Sequence, residues 1–291
     1  MLNNKIIIGT ANFDQKYGVR SKKIDQNGIR KIINYAFKKK INKFDTSASY
    51  KNSEKILGNL LQKKTKVITK LPPIPKYLSD KKTELWITKQ IEQSQRKLKV
   101  KSIYALWLHK PDILLTKRGK KIYQLLIDIK KKGQLKKLGI SIYDFKILRK
   151  LLKFYKFDIA QVPFNVFDQR LIREKKLLNK KNKNIEIHCR SIYLQGLLHE
   201  NEKKISKKFG IFKKNWKRWN SWLAEENLSS IEGSLNFIYQ KRKFFDNIVV
   251  GFDNIGQLAE ISNYKFKNAN FNYEKFHINN NKFYKPNFLR K

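Results

Sequence analysis

Eight short runs of branched and aromatic apolar residues, spaced along the chain and separated by longer stretches of helical periodicity, constrain this chain more than any other feature. They are KIIIG at 5–9, NKFD at 42–45, KVITK at 66–70, SIYALWLH at 102–109, KLGIS at 137–141, DIAQV at 158–162, IEIHC at 185–189 and NIVVG at 247–251. Runs with apolar residues in succession, rather than alternating, suit strands buried on both faces, as in a parallel sheet covered by helices. Between them, GIRKIINYAFKKK sets Ile29, Ile32, Ile33, Ala36 and Phe37 on one stripe with lysines elsewhere, which is the pattern of an amphipathic helix. Further helices are expected to begin near Ser53, Glu84, Lys117, Asp144, Gln169, Ser230 and Gln257. Eight such units predict a single (β/α)8 TIM barrel over 1–263 with a short C-terminal tail over 264–291.

An open dinucleotide-binding sheet is the competing architecture. It requires a glycine-rich turn directly after the first strand, and GTANFDQKYG spaces its glycines wrongly for that turn. Two regions depart from the alternation. FGIFKKNWKRWNSWLAEE, within 200–229, interleaves basic and aromatic residues; Phe212, Trp216 and Trp219 at helical spacing predict the packed face of an extra helix. Beyond Asn263 no periodicity is legible, so wrapping of the barrel and disorder both stay open.

Charge bears on the partner. Lys and Arg number 66 against 23 Asp and Glu, a formal net charge of +43. A dedicated nucleic-acid surface would cluster that charge and favour arginine for reading bases, whereas here it is mostly lysine and spread through nearly every segment. The expectation is therefore solvated helix faces and a field that attracts anionic small molecules, with nucleic-acid binding kept as a lesser alternative. The only cysteine, Cys189, excludes an intramolecular disulfide and a multi-cysteine zinc site, and no metal is expected. His188 and Cys189 are neighbours on a strand and point to opposite faces, so structural roles are expected for both. His199 and His277 read as surface residues. With no apolar run long enough to span a bilayer and no hydrophobic leader in MLNNKIIIGTANF, a cytoplasmic protein is expected.

Barrel chemistry gathers at the C-terminal ends of strands. Asp45 ends the second strand with Tyr50 in the loop beyond it, Lys70 ends the third and His109 ends the fourth. A tyrosine near a cation, with a carboxylate to hold that cation and an imidazole to polarise a carbonyl, suits proton delivery to a carbonyl oxygen while hydride reaches its carbon. On this reading Lys70 stabilises the Tyr50 phenolate.

At these residues the chain resembles the aldo-keto reductase family, over about 6–261. FDTSASYKNSEKILG, VITK and SQRKLKVKSIYALWLHKPD are similar to the family's segments that carry its aspartate, tyrosine, lysine and histidine. The resemblance implies that Asp45, Tyr50, Lys70 and His109 form the catalytic tetrad of an NAD(P)H-dependent reductase of a small carbonyl substrate. It also implies cofactor contacts: Gly9, Thr10 and Ala11 beside the nicotinamide, Ser141 and Gln161 at its carboxamide, and Ser191 with Tyr193 to Gly196 along the pyrophosphate. Gly251, Asp253, Gln257 and Glu260 are implied at the adenosine. Ile142 and Ile192 depart from the family's usual Asn or Arg and its proline, and Asp253 stands near the 2′-phosphate of NADP, where a carboxylate repels a phosphate but accepts from a ribose hydroxyl. The cofactor is thus NADP(H) or NAD(H). QVPFNVFDQRLI with IEIHCRSIYLQGLL is similar to a bacterial branch often associated with nucleotide-sugar and surface-glycan biosynthesis, which implies a sugar-like, anionic carbonyl. A weakly active, cofactor-binding regulatory protein is the alternative within the family. Oligomeric state is not legible.

Overall fold

The computed structural model describes residues 2–18, 23–181, 185–200, 203, 207–266 and 270–284. Eight parallel strands close into a barrel: β1 (Ile6–Gly9), β2 (Lys43–Asp45), β3 (Lys66–Leu71), β4 (Ile103–Leu108), β5 (Leu135–Ser141), β6 (Ile159–Pro163), β7 (Glu186–Arg190) and β8 (Asn247–Gly251). Each pairs with its sequence neighbours, and β8 returns to β1 with Ile6 opposite Ile248 and Gly9 opposite Gly251. The helices are α1 (Gln26–Lys38), α2 (Ser53–Gly58), α3 (Asp80–Leu98), α4 (Gly119–Lys131), α5 (Phe145–Phe154), α6 (Arg170–Lys181), α7 (Lys213–Glu225), α8 (Ser230–Gln240) and α9 (Ile255–Asn263). All eight expected strands are present, within two residues at each boundary, and they form the (β/α)8 barrel expected of them.

Local chemistry explains the helix starts. Asp25 caps α1 by accepting from the Gly28 N–H, and Ser229 with Glu232 forms a capping box at α8. Helix α3 begins at Asp80 rather than near Glu84, because Ser79 caps it and Asp80 pairs with Arg118 and Lys121. Its first turn is polar, so the apolar stripe starts after the helix does. On α1 the residues Ile29, Ile32, Ile33 and Ala36 are buried as the periodicity predicts, while Phe37 is half-buried against the same core.

Two apolar layers result. The larger lies between barrel and helices, and a smaller one, Ile7, Ile68, Ala105, Trp107 and Ile159, fills the barrel. Gly139 is part of that filling, since a Cβ there would lie 2.6 Å from both the Trp107 ring and the Ile159 side chain. Below Trp107 the interior turns polar: Glu186 accepts from Asn247 Nδ2 at 2.8 Å, lies 2.7 Å from His188 Nε2 and pairs with Lys137. His188 and Cys189 are both buried, His188 inside the barrel against the Trp107 ring and Cys189 in the outer core.

The interruption at 200–229 contains α7, whose Trp216 and Trp219 are buried, as is Phe212 just before it. Their cover comes from the tail. Tyr273, Phe276, Ile278 and Phe283 are buried, Phe276 sits 5.1 Å edge-on to Trp219, and the Ile278 N–H donates to Phe167 O at 2.9 Å. The described part of the tail thus wraps the barrel; 267–269 and 285–291 lie outside the described residues.

Candidate active site

At the C-terminal mouth of the barrel a cleft of about 540 Å³ runs from the ends of β2, β3 and β4 across to the start of α9. Its volume lies in the range of small-molecule sites, about 300 to 1,000 Å³. The residues singled out from the sequence line it, except Leu194, which turns into the outer core: Asp45, Tyr50, Lys70 and His109 at one end; Gly9, Thr10, Ala11, Ser141, Gln161, Ser191, Tyr193, Gln195 and Gly196 between; and Gly251, Asp253, Gln257 and Glu260 at the other.

Asp45 is the hub of the first group. Lys70 Nζ donates to its Oδ1 and, at 2.8 Å, to the Thr46 carbonyl. Oδ2 accepts from Trp107 Nε1 at 3.0 Å and from Gln161 Nε2 at 2.9 Å. Gln161 Oε1 in turn accepts the Ser141 hydroxyl at 2.9 Å. The chain leading from β2 to Tyr50 is tied down, since Ser53 Oγ donates to Thr10 O at 3.1 Å and buried Glu54 accepts from Thr69 Oγ1 at 2.7 Å. Lys70 Nζ lies 5.1 Å from the centre of the Tyr50 ring.

Burial pushes the Tyr50 hydroxyl far above the ordinary tyrosine value, the Asp45 carboxylate pushes it further, and the Arg190 guanidinium pulls the other way. Tyr50 is therefore a neutral phenol at neutral pH. Lys70 is itself paired with Asp45, so the cation beside the Tyr50 ring comes with its own counter-charge.

Several lining residues went unforeseen: Tyr17, Asn12, Tyr143 and Arg190. Tyr17 is exposed as a residue, while desolvation of its hydroxyl raises its pKa in the same direction as for Tyr50. Trp107 reads in sequence as one more core aromatic, yet it supplies a hydrogen bond to Asp45. Two histidines are corrected. His199 lines the cleft with its Nδ1 2.9 Å from Ser230 Oγ, and His277 Nδ1 accepts the Gln169 N–H at 3.2 Å. Each is half-buried, because the start of α8 lies against His199 and the segment after β6 lies against His277, both remote in sequence.

A model of the "Aldo/keto reductase family" matches residues 5–278. The chain belongs to the aldo/keto reductase family. It is an NAD(P)H-dependent oxidoreductase, and reduction of carbonyl compounds is the activity that membership carries. In overall structure this reductase is similar to "aldo-keto reductase AKR11C1 from Bacillus halodurans (holo form)", at 14% identity and a TM-score of 0.68 over 89% of this chain and 85% of that one. It is similar also to the "glycerol dehydrogenase AKR11B4 from Gluconobacter oxydans", at 19% identity and a TM-score of 0.67, with the same coverage of each chain. None of the curated proteins matches it.

The cleft fits a dinucleotide. At Gly196 no atom lies within 4 Å of where a Cβ would stand, and at Gly251 the nearest is 3.9 Å away, so backbone is open to a ligand there. Two buried polar atoms on its walls, Asn12 Oδ1 and Tyr193 OH, have no partner among the described residues, as expected of groups that meet a polar ligand. The start of α9, capped by Asn254, adds the positive end of a helix. Among the described residues no helix is long and apolar enough to cross a membrane, and no group of metal-ligating side chains is assembled.

Proposed function

We propose that this reductase acts on a sugar-like, anionic aldehyde or ketone, with Tyr50 as the general acid. The observation that carries the proposal is the meeting of Tyr50, Lys70, Asp45 and His109 from the ends of three consecutive strands in one cleft. When bound, the nicotinamide supplies hydride to the carbonyl carbon. As charge develops on the carbonyl oxygen, Tyr50 donates its hydroxyl proton to it. An alkoxide is far more basic than a phenolate, so a phenol held protonated by burial still transfers its proton downhill. Lys70 and His109 face the same space and stabilise the developing oxyanion. Asp45 fixes the Lys70 ammonium and is fixed by Trp107 and Gln161.

Eleven other lining residues hold the cofactor: Ser141 and Gln161 the carboxamide, Gly9 to Ala11 the nicotinamide side, Ser191 and Gly196 the pyrophosphate, and Gly251, Asp253, Gln257 and Glu260 the adenosine. The barrel to residue 263 carries this machinery and the tail supports it. A single cysteine, buried and with a thiol pushed up by burial, is consistent with a cytoplasmic enzyme.

Trp107 touches Asp45, so its fluorescence is placed to report occupation of the cleft. Titration with NADH and NADPH quenches it, and a panel of hydroxyaldehydes and keto-sugars then oxidises the bound cofactor. Tyr50→Phe leaves cofactor binding intact and lowers turnover about 10²- to 10⁴-fold, the usual worth of a positioned acid. Undiminished turnover in that variant would remove Tyr50 from its role.

A further inference from the structure

Arg190 is the last residue of β7 and lies opposite Pro163 of β6. Side chains alternate along a strand, so Arg190 shares the barrel-facing side with His188, two residues earlier, and stands above it at the mouth. It lines the same cleft as Tyr50 and Lys70, and it is half-buried.

The guanidinium is held in place by groups that leave its charge uncompensated. One face packs on the Tyr143 ring, 3.7 Å from the ring centre. Nη2 donates to the Ile142 carbonyl at 3.1 Å, and Nη1 makes a long contact of 3.4 Å to Ser191 Oγ. These use two of the five N–H donors an arginine carries. Among the described residues no carboxylate forms an ion pair with it. Of the three carboxylates on the cleft wall, Asp45 is matched by Lys70, and Asp253 and Glu260 belong to the β8–α9 end. Among the described residues Arg190 is therefore the lining cation without a carboxylate partner, in a rigid planar fork suited to a carboxylate or a phosphate. The charge also reaches the reacting group, since Arg190 acts on the hydroxyls of both Tyr50 and Tyr17 against the effect of burial.

We infer that Arg190 is the anchor for an anionic group on the substrate, so that the carbonyl compounds this enzyme prefers carry a carboxylate or a phosphate a few bonds from the reacting carbon. The inference rests on the reductase reading above and narrows its substrate class. Arg190 touches the substrate's anion and moves no proton. The Tyr143 ring and the Ile142 carbonyl hold the fork at a fixed place relative to Tyr50, which sets how far the anion sits from the carbonyl.

The test compares matched pairs that differ only in charge: succinic semialdehyde with butanal for a carboxylate, and glyceraldehyde 3-phosphate with glyceraldehyde for a phosphate. The wild type favours at least one anionic member by tenfold or more in kcat/KM, and the pair that shows it identifies the anion. Arg190→Met lowers kcat/KM for the anionic member at least tenfold more than for its neutral counterpart, removing most of that preference, and Arg190→Lys restores part of it. Equal preference in wild type and Arg190→Met overturns the inference. So does a fall in NADH or NADPH affinity in Arg190→Met as large as the fall for the anion, which would assign the fork to the cofactor. If no carbonyl is reduced by the wild type, the reductase reading fails separately. Calorimetric titration of succinate and glycerol 3-phosphate then still decides on Arg190: binding that is lost in Arg190→Met supports the anchor, and no binding to the wild type refutes it.

Discussion

Replacing Asp45 by asparagine tests the site where its geometry is most demanding. The carboxylate accepts three donors, Lys70 on one oxygen and Trp107 and Gln161 on the other. An asparagine has one oxygen. Turned towards Trp107 and Gln161, it points its own N–H groups at the Lys70 ammonium; turned towards Lys70, it points them at two further donors. Either way a buried cation loses its counter-charge, keeping only the Thr46 carbonyl at 2.8 Å. Breaking a buried pair in this manner costs about 3–5 kcal/mol, a large share of the about 5–15 kcal/mol that holds a domain together. Lys70→Met breaks the same pair from the other side but leaves Asp45 its two neutral donors, so its cost is lower, about 2–3 kcal/mol. Urea unfolding at pH 7 measures both through the midpoint at constant slope. A loss below about 1 kcal/mol for Asp45→Asn, or a greater loss for Lys70→Met, would refute the argument that Asp45 is the hub.

Two other sites give independent checks. The pull of His188 and Lys137 on Glu186 outweighs its burial and lowers its carboxyl from an ordinary 4.5 to about 2. A depressed carboxylate stabilises the fold above its unfolded value, and that contribution is lost as pH falls from about 4.5 towards 2. The acid limb of unfolding is therefore less steep over this window in Glu186→Gln than in the wild type, as urea midpoints against pH will show. At the far end of the cleft, Asp253 and Glu260 line the wall with no Lys or Arg beside them among the lining residues. Asp253→Ser tightens NADPH relative to NADH by about tenfold in fluorescence titration, one unscreened charge repulsion being worth about 1–2 kcal/mol; an unchanged ratio would separate Asp253 from the ribose.

The barrel strands are legible in the sequence for a physical reason. Strands such as SIYALWLH and NIVVG are covered on both sides, so most of their residues are apolar and the run stands out from the lysine-rich helices. The cleft residues are legible because strand ends are fixed points of this architecture and because the motifs around Asp45, Lys70 and His109 resemble a known family. What stayed hidden depends on distance along the chain. Trp107 reaches an aspartate 62 residues away, and nothing in YALWL separates an indole that fills the barrel from one that also donates to a carboxylate. Arg190 reads as one of 66 basic residues, and only the closed barrel shows that it faces the mouth while the helix lysines lie largely on the outside. The tail has no periodicity because its described residues form no long helix or strand. Their aromatics pack one by one onto α7, and such pairings have no spacing rule.

The protonation of Tyr50 completes the chemical argument. A lysine 5.1 Å from a phenol ring suggests a stabilised phenolate, but that lysine is paired with the Asp45 carboxylate, which offsets part of its effect on the phenol. Burial then disfavours the anion, and Asp45 adds to that effect. An acid that ionised near neutrality would spend part of its time unable to donate, whereas Tyr50 keeps its proton throughout the physiological range and gives it up only to a strong base such as a nascent alkoxide. Ultraviolet difference titration of the wild type against Tyr50→Phe isolates its ionisation, because the other tyrosines cancel. No tyrosinate absorbance assignable to Tyr50 appears below pH 10, the ordinary value from which Tyr50 is raised, and reduction shows no alkaline loss attributable to Tyr50 below that pH. A tyrosinate signal with a midpoint near pH 8 or 9, absent from Tyr50→Phe, would show that Lys70 governs the phenol after all and that Asp45 does not neutralise it.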